Sequence, residues 1–277
     1  MNSLKQACVI GWPISHSRSP LIHNHWLEKY GIAGRYDKWA VEPEALAGFL
    51  ASFRDELVGA NVTIPHKEAV FERVSIGDEL TAKLGSVNTL YLRDGKLLGT
   101  STDGYGYVAN LLQTVPDFVV RGANVVVLGA GGAAKSIVGA LVERQVGKVT
   151  VANRSPERAR QLAAMFGEQI NPVGLEAVHD ALPSADLLIN TTSLGMTGKD
   201  DLALDVSLLP AHAVVSDIVY VPLMTTLLEA AYGRGLRIVD GLGMLLHQAV
   251  PGFELWFGIR PEVTPELRAI LEADIRG

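Results

Sequence analysis

The sequence predicts an α/β protein of two domains, and three observations carry that expectation. From Gly122 to about residue 240, near-continuous apolar strands alternate with helices at the pace of a parallel sheet covered on both faces. Residues 1–104 read instead as a mixed α/β unit containing a hairpin. After Gly241 the pattern is helical only, and those helices are expected to pack back on the first unit. The expected division is therefore residues 1–104 completed by 241–277, and residues 105–240. A length of 277 residues accommodates two such cores.

Taken in order, "ACVIG" (7–11) is a short apolar strand stopped by Trp12-Pro13, and Ser19-Pro20 reads as a helix start, Ser at the cap and Pro just inside. The helix then runs from Leu21 to Tyr30. "GANVTIPHK" (59–67) is read as a strand ending at Pro65 with Lys67 just beyond, and "VNTLYLRDGKLLGTSTDG" (87–104) as a hairpin turning at Asp94-Gly95. A helix near Tyr105–Gln113, ended by Pro116, leads out of this unit. In the second part, "NVVVLGAGGAAKSIVGALVER" (124–144) is strand, glycine turn and helix, and "KVTVANR" (148–154) is the next strand. "PERARQLAAMF" (156–166) is a helix with Pro at its start, and "ADLLINTT", "AVVSDIV" and "LRIVDG" are further buried strands. "MLLHQAVPGFELWFG" (244–258) and "TPELRAILEADIR" (264–276) close the chain as helices.

Composition narrows the function classes. Hydrophobic residues make up 48% and charged residues 19%, a globular balance. A net charge of −6 without a basic face argues against nucleic acid, whose phosphates demand one. Cys8 is the single cysteine, so no internal disulfide forms and a reducing compartment is favoured. The first residues lack a basic stretch followed by a long apolar core, and no run is long enough to span a membrane, so the expected location is cytoplasmic.

Gly129-Ala130-Gly131-Gly132-Ala133-Ala134 fits G-x-G-x-x-G/A between a buried strand and a helix. The first Gly permits a tight turn, the second lets backbone approach a pyrophosphate, and the helix offers unpaired N–H groups to the anion. At the end of the next strand, where an NAD-binding chain places a carboxylate for the ribose, stand Asn153 and Arg154, with Arg158 about one turn into the following helix. A guanidinium there welcomes the 2′-phosphate that a carboxylate would repel, so the expected cofactor is NADP.

A nicotinamide cofactor leaves the protein to supply a proton donor and a grip on the substrate. Lys67 and Asp103 are the candidates: an ammonium can protonate a carbonyl oxygen and a carboxylate can hold it in place. Ser17, Ser19, Thr63, Asn88 and Thr102 surround them with hydroxyl and amide groups suited to a small polyol or hydroxy acid. His23 and His25, two apart on a helix, cannot share a face, and no metal-ligand spacing occurs, so no metal is expected. Ser15–Ser17 around His16 lacks the G-x-S-x-G elbow of a hydrolase.

Nine stretches together, "GWPISHSRSP", "NVTIPHK", "VNTL", "TSTDGYG", "GAGGAAK", "NRSPERA", "NTTSLGM", "DIVY" and "DGLGMLLHQ", resemble the shikimate dehydrogenase family in family order. The resemblance implies an N-terminal α/β substrate domain, a Rossmann-like NADP-binding domain and a helical return to the first domain. It implies reversible reduction of 3-dehydroshikimate to shikimate with NADPH, in aromatic amino acid biosynthesis. Lys67 would be the acid/base and Asp103 its partner. Ser17 and Ser19 would bind the substrate carboxylate, Thr63, Asn88 and Gln248 its hydroxyls or carbonyl region, and Tyr220 would also touch it. Gly129, Ala130, Gly131, Gly132 and Ala133 would cradle the pyrophosphate, and Asn153, Arg154, Ser155 and Arg158 the adenosine phosphate. Ile218, Gly241 and Met244 would sit at the nicotinamide.

The chain departs from the family pattern twice. Ser101 stands where the family commonly has Asn, and His66 where it often has Phe; His66 could touch the acid/base pair electrostatically or face solvent, and the solvent-facing reading is favoured. Two rivals remain open at this point: a dehydrogenase of the same fold acting on quinate or a related ring acid, and a non-catalytic NADP-binding redox sensor. The sequence leaves monomer and homodimer equally open.

Overall fold

The structure, a computed structural model, describes Lys5–Gly277, and these residues divide into two compact units. The first runs through Thr102 and is completed by Gln248–Gly277; the second is Asp103–His247.

In the first unit, β1 (Lys5–Gly11) lies parallel to both β2 (Gly34–Ala40) and β3 (Gly59–Val62). β3 then pairs antiparallel with β5 (Thr89–Arg93), and β5 with β6 (Lys96–Thr100). β4 (Ser75–Ile76) pairs parallel with β6, giving the order β2-β1-β3-β5-β6-β4. Asp94 (φ 51°) and Gly95 (φ 69°) make the hairpin turn in left-handed backbone, as an Asp-Gly pair favours. One face packs Ile10, Phe53, Val62, Val70 and Leu90 into a buried cluster with α2 (Leu46–Glu56) and α3 (Lys67–Phe71). On the other, α1 (Ser19–Lys29) sends His23 and Trp26 into an aromatic cluster with Tyr36 and with Phe253 and Trp256 of α9 (Leu242–Phe257). The Trp256 indole donates to the Leu90 carbonyl at 2.8 Å, and a Cβ on Gly59 would collide with that ring. α4 (Glu79–Leu84) completes this unit with α10 (Pro265–Arg276), whose first turn is capped by Thr264.

The second unit is a six-stranded, all-parallel sheet ordered β12-β11-β10-β7-β8-β9. Its strands are β7 (Asn124–Leu128), β8 (Lys148–Asn153), β9 (Ile170–Gly174), β10 (Leu187–Asn190), β11 (Val214–Asp217) and β12 (Arg237–Val239). Read from β9, the order is 3-2-1-4-5-6, the doubly wound arrangement whose switch point, between β7 and β10, is where such sheets bind ligands. α5 (Asp103–Thr114), α6 (Gly132–Glu143), α7 (Pro156–Phe166) and α8 (Thr226–Gly233) accompany it. Val125–Leu128 and Leu187–Asn190 are buried throughout, as a sheet covered on both faces requires. No helix among the described residues is long and apolar enough to cross a membrane.

Several local expectations need correction. Arg18, not Ser19, occupies the N-cap of α1; Ser19 is already helical, and Ser17 supplies the side-chain oxygen that its N–H reaches at 3.4 Å. β3 ends at Val62, three residues before Pro65: the Thr63 N–H makes the last bond to the Ile10 carbonyl, and the Thr63 carbonyl then accepts the His66 N–H in the turn that leads into α3. Lys67 therefore opens a short helix instead of trailing a strand. β2, α2, β4, α4 and β9 carry no legible signal: β2, "GRYDKWA", alternates too weakly to register as a strand.

Candidate functional site

The first unit gathers its polar candidates at the C-terminal ends of β1 and β3 and at the strand–loop junctions of the hairpin. Ser17 and Ser19 face each other at 3.3 Å between their hydroxyl oxygens. Lys38 anchors that loop by donating to the Ser15 carbonyl at 2.6 Å, and Arg18 pairs with Asp274 of α10 at 2.7 Å. Thr63, half-buried, accepts the His66 N–H at its carbonyl, which shapes the turn that delivers Lys67 to the first position of α3. The Lys67 carbonyl accepts the Val87 N–H, so the backbone of the lysine is tied to the start of the hairpin segment.

Asn88 is nearly inaccessible and organises its neighbours. Its side-chain amide donates to the Thr102 hydroxyl at 3.0 Å, while its carbonyl oxygen accepts the Thr102 N–H and the Thr89 hydroxyl, both at 2.9 Å. The Thr102 hydroxyl is also 2.8 Å from the Gln248 carbonyl, which it reaches as donor. Pro251, inside α9, withholds one N–H from the helical ladder. Asn88, Thr102 and Gln248 are thus held together, and Asp103 follows Thr102 directly as the first residue of α5. A carboxylate at that helix end complements the helix dipole.

Sequence reading misses the layer beneath. Tyr36 donates to Asn61 at 2.6 Å, and Asn61 donates to the Asn88 carbonyl and to Thr89, both at 3.2 Å, all in the interior. An Asn inside the otherwise apolar strand "GANV" is the available signal, since a buried amide must find partners. Asp78 forms a second support, accepting from Thr81 N–H (2.7 Å), the Thr81 hydroxyl (2.8 Å) and the Thr100 hydroxyl (2.7 Å). Thr81 in turn accepts the Ser101 N–H at 2.9 Å, so the loop is held at Ser101 through its backbone. His66 does not face solvent: it is 1% exposed, and its Nε2 lies 2.7 Å from the Val41 carbonyl. A carbonyl only accepts, so that nitrogen carries the proton.

In the second unit the glycine turn follows β7 at the switch point. Gly129 has φ +100°, and a Cβ there would lie 2.7 Å from the Thr191 hydroxyl, so both backbone angle and space select glycine. Gly131 caps α6 without any side-chain bond, and Cβ atoms at Gly131 and Gly132 would meet nothing within 4 Å. The turn therefore presents free helix N–H groups to open space, the condition for a pyrophosphate to sit against backbone. Ala130 and Ala133 flank these glycines in the same turn.

Gly129, Asn153 and Arg154 line one pocket with Thr192 and Leu194. The Asn153 amide donates to the Ser155 carbonyl at 2.9 Å, fixing the start of α7, and the Ser155 hydroxyl makes no capping bond. Arg154, Ser155 and Arg158 are exposed, and neither arginine has an ion-pair partner among the described residues, while neighbouring Glu157 is engaged by Arg160. Ile218 and Gly241 touch: a Cβ on Gly241 would strike the Ile218 carbonyl. Met244, in the first turn of α9, and Tyr220, beyond β11, are half-buried. A glycine turn at the switch point, an open helix N-terminus and two unpaired arginines fit a phosphorylated dinucleotide, and they define a dinucleotide-binding α/β protein.

The comparisons make that class specific. Sequence profiles match at residues 9–90 ("Shikimate dehydrogenase substrate binding domain"), 111–197 ("Shikimate / quinate 5-dehydrogenase") and 241–271 ("Shikimate 5'-dehydrogenase C-terminal domain"). The chain is 53% identical over 272 residues to shikimate dehydrogenase (NADP(+)) of Rhodopseudomonas palustris strain TIE-1, covering 98% of this chain and 97% of that one. Among solved structures, shikimate 5-dehydrogenase of Thermus thermophilus, in complex with NADP(H) and shikimate, superposes with a TM-score of 0.85 at 33% identity, covering 98% of this chain and 100% of that one. Quinate dehydrogenase of Corynebacterium glutamicum, in complex with NAD, superposes with a TM-score of 0.89 at 30% identity and the same coverage. The chain belongs to the shikimate dehydrogenase family.

Proposed function

We propose that the chain catalyses the reversible, NADPH-dependent reduction of 3-dehydroshikimate to shikimate, a step of aromatic amino acid biosynthesis. The observation that carries this reading is Arg154, unpaired and lining one pocket with Gly129, followed in α7 by the unpaired and exposed Arg158. A cationic pair where an NAD-binding chain keeps a carboxylate selects the 2′-phosphate.

When bound, the reduced nicotinamide supplies the hydride. Lys67 donates a proton to the carbonyl oxygen of the substrate as that oxygen gains charge, and regains one from solvent. Asp103 holds the ammonium and orients the ring through a hydroxyl. Ser17 and Ser19 grip the substrate carboxylate, and Thr63, Asn88, Tyr220 and Gln248 take its remaining oxygens. Gly129 to Ala133 hold the pyrophosphate, Asn153, Arg154, Ser155 and Arg158 the adenosine phosphate, and Ile218, Gly241 and Met244 the nicotinamide. In this reading the segment 1–104 with 241–277 serves the substrate and 105–240 serves the cofactor. The partners are small molecules, the location is the cytoplasm, and the enzyme works as a monomer or a homodimer.

A second reading, turnover of quinate, is favoured by the superposition on the quinate dehydrogenase. Absorbance of the reduced nicotinamide during oxidation of shikimate and of quinate, each with NADP and with NAD, tests both. Fastest turnover with shikimate and NADP is expected; preference for quinate or NAD would overturn the assignment, and no turnover with any pair would leave a binding module.

A further inference from the structure

We propose that Asp217, paired with Asn190, is a positioning residue that sets two walls of the cofactor groove at once; this rests on the dinucleotide reading above. Asn190 and Asp217 are the last residues of β10 and β11 and stand opposite each other in register. Both are buried, at 0% and 1% exposure. The Asn190 amide donates to Asp217 Oδ1 at 3.0 Å, and the same carboxylate accepts the Val219 N–H at 2.9 Å and the Thr225 hydroxyl at 2.8 Å.

Each partner holds a different loop. From Asn190, the amide reaches the Leu194 carbonyl at 3.1 Å, while its oxygen accepts the Thr192 N–H at 3.0 Å and hydroxyl at 2.7 Å. Thr192 and Leu194 line the pocket that contains Gly129 and Arg154. From Asp217, the bond to Val219 N–H fixes the stretch that carries Ile218 and Tyr220, against whose backbone Gly241 packs. One buried carboxylate therefore governs both the wall beside the glycine turn and the stretch assigned to the nicotinamide. Burial pushes its pKa up, against the pull of its three donors.

Thr225 is the third partner and belongs to α8, which it caps through Leu228 N–H. That arm separates positioning from mere stability. Removing the carboxylate (Asp217→Ala) is expected to raise the Michaelis constant for NADPH and the inhibition constant of adenosine 2′,5′-bisphosphate each by about tenfold, the scale of bonds to a buried charge. The Michaelis constant for shikimate should rise less, since of the substrate residues only Tyr220 lies on the stretch that Asp217 holds. Asp217→Asn keeps an acceptor for Asn190 and Val219 and lets the Thr225 hydroxyl turn round to accept, so it should restore binding. Thr225→Val should lower the melting temperature with cofactor binding unchanged.

If Asp217→Ala does not fold, Asn190→Ser, which keeps a hydroxyl donor for the carboxylate but drops the Thr192 and Leu194 links, must weaken adenosine 2′,5′-bisphosphate by a similar factor. Unchanged nucleotide binding in a folded Asp217→Ala, or weakening equal to that of Thr225→Val, overturns the proposal. Failure of the wild-type chain to bind NADP in a thermal-shift titration would instead overturn the cofactor reading itself.

Discussion

Thr102 and Gln248, separated by 146 residues, are joined by a hydrogen bond of 2.8 Å from the threonine hydroxyl to the glutamine carbonyl. The same hydroxyl receives the Asn88 amide. Thr102→Val keeps the shape and removes both bonds, each worth about 1 kcal/mol. The expected result is a lower midpoint in denaturant titration and a raised Michaelis constant for shikimate, with kcat affected less. An unchanged Michaelis constant would mean that Asn88 and Gln248 do not need this link to hold substrate.

Arg154 faces the cofactor question most directly. Arg154→Ala is expected to raise the Michaelis constant for NADPH by roughly tenfold or more, the worth of a charge-assisted bidentate contact, while leaving that for NADH nearly unchanged. Steady-state kinetics with both cofactors decides it, since equal effects would make the arginine an ordinary surface charge.

For the chemical step, Lys67→Met should lower kcat by about two or more powers of ten with a smaller effect on shikimate binding, the scale of general acid–base catalysis. Asp103→Asn should change both kcat and the Michaelis constant, because the carboxylate is assigned to the lysine and to the substrate alike. Normal turnover by the methionine variant would move the proton donor elsewhere.

His23 is wholly buried, stacked on Tyr36 at 4.1 Å, and neither ring nitrogen makes a well-formed hydrogen bond. Burial, opposed only weakly by the neighbouring Asn61 side chain, pushes its pKa down from 6.5 to about 3, and burial likewise lowers His247 to about 4. Below about pH 6.5 the unfolded chain takes up a proton that the folded chain refuses, so stability is full above that pH and is lost as pH falls towards 3. Each such group gives a slope of up to about 1.4 kcal/mol per pH unit within its window. Melting temperatures from about pH 8 to about pH 5 should fall, and His23→Phe, which can keep the stacking on Tyr36, should flatten the decline.

Much of the second unit is legible because its strands are apolar throughout and its glycine turn falls on schedule; β7, α6, β8 and α7 lie within a few residues of their expected bounds. The hairpin at Asp94-Gly95 is equally plain, its turn chemistry being local. The first unit hides more. β2 exposes alternate residues weakly, and α3 is too short for any periodic signal, so Lys67 reads as the end of a strand instead of the start of a helix. His66 reads as solvent-facing because its burial depends on Val41, a partner 25 residues away that no local pattern reveals. The supporting residues Asn61, Asp78, Asn190 and Asp217 share that difficulty: each is a polar side chain whose role is visible only once its distant partners are known.

The first unit is interrupted by the whole of the second, and its aromatic interior needs Phe253 and Trp256. During synthesis on a ribosome, Ser17, Thr63, Lys67 and Asn88 leave the exit tunnel long before the rings that bury their scaffold. The earlier-made half must wait, incomplete, while the nucleotide-type sheet can assemble from contiguous chain. A fragment ending before α9 would accordingly lack the aromatic side of the first unit's core, and proteases should trim it back from its amino-terminal side.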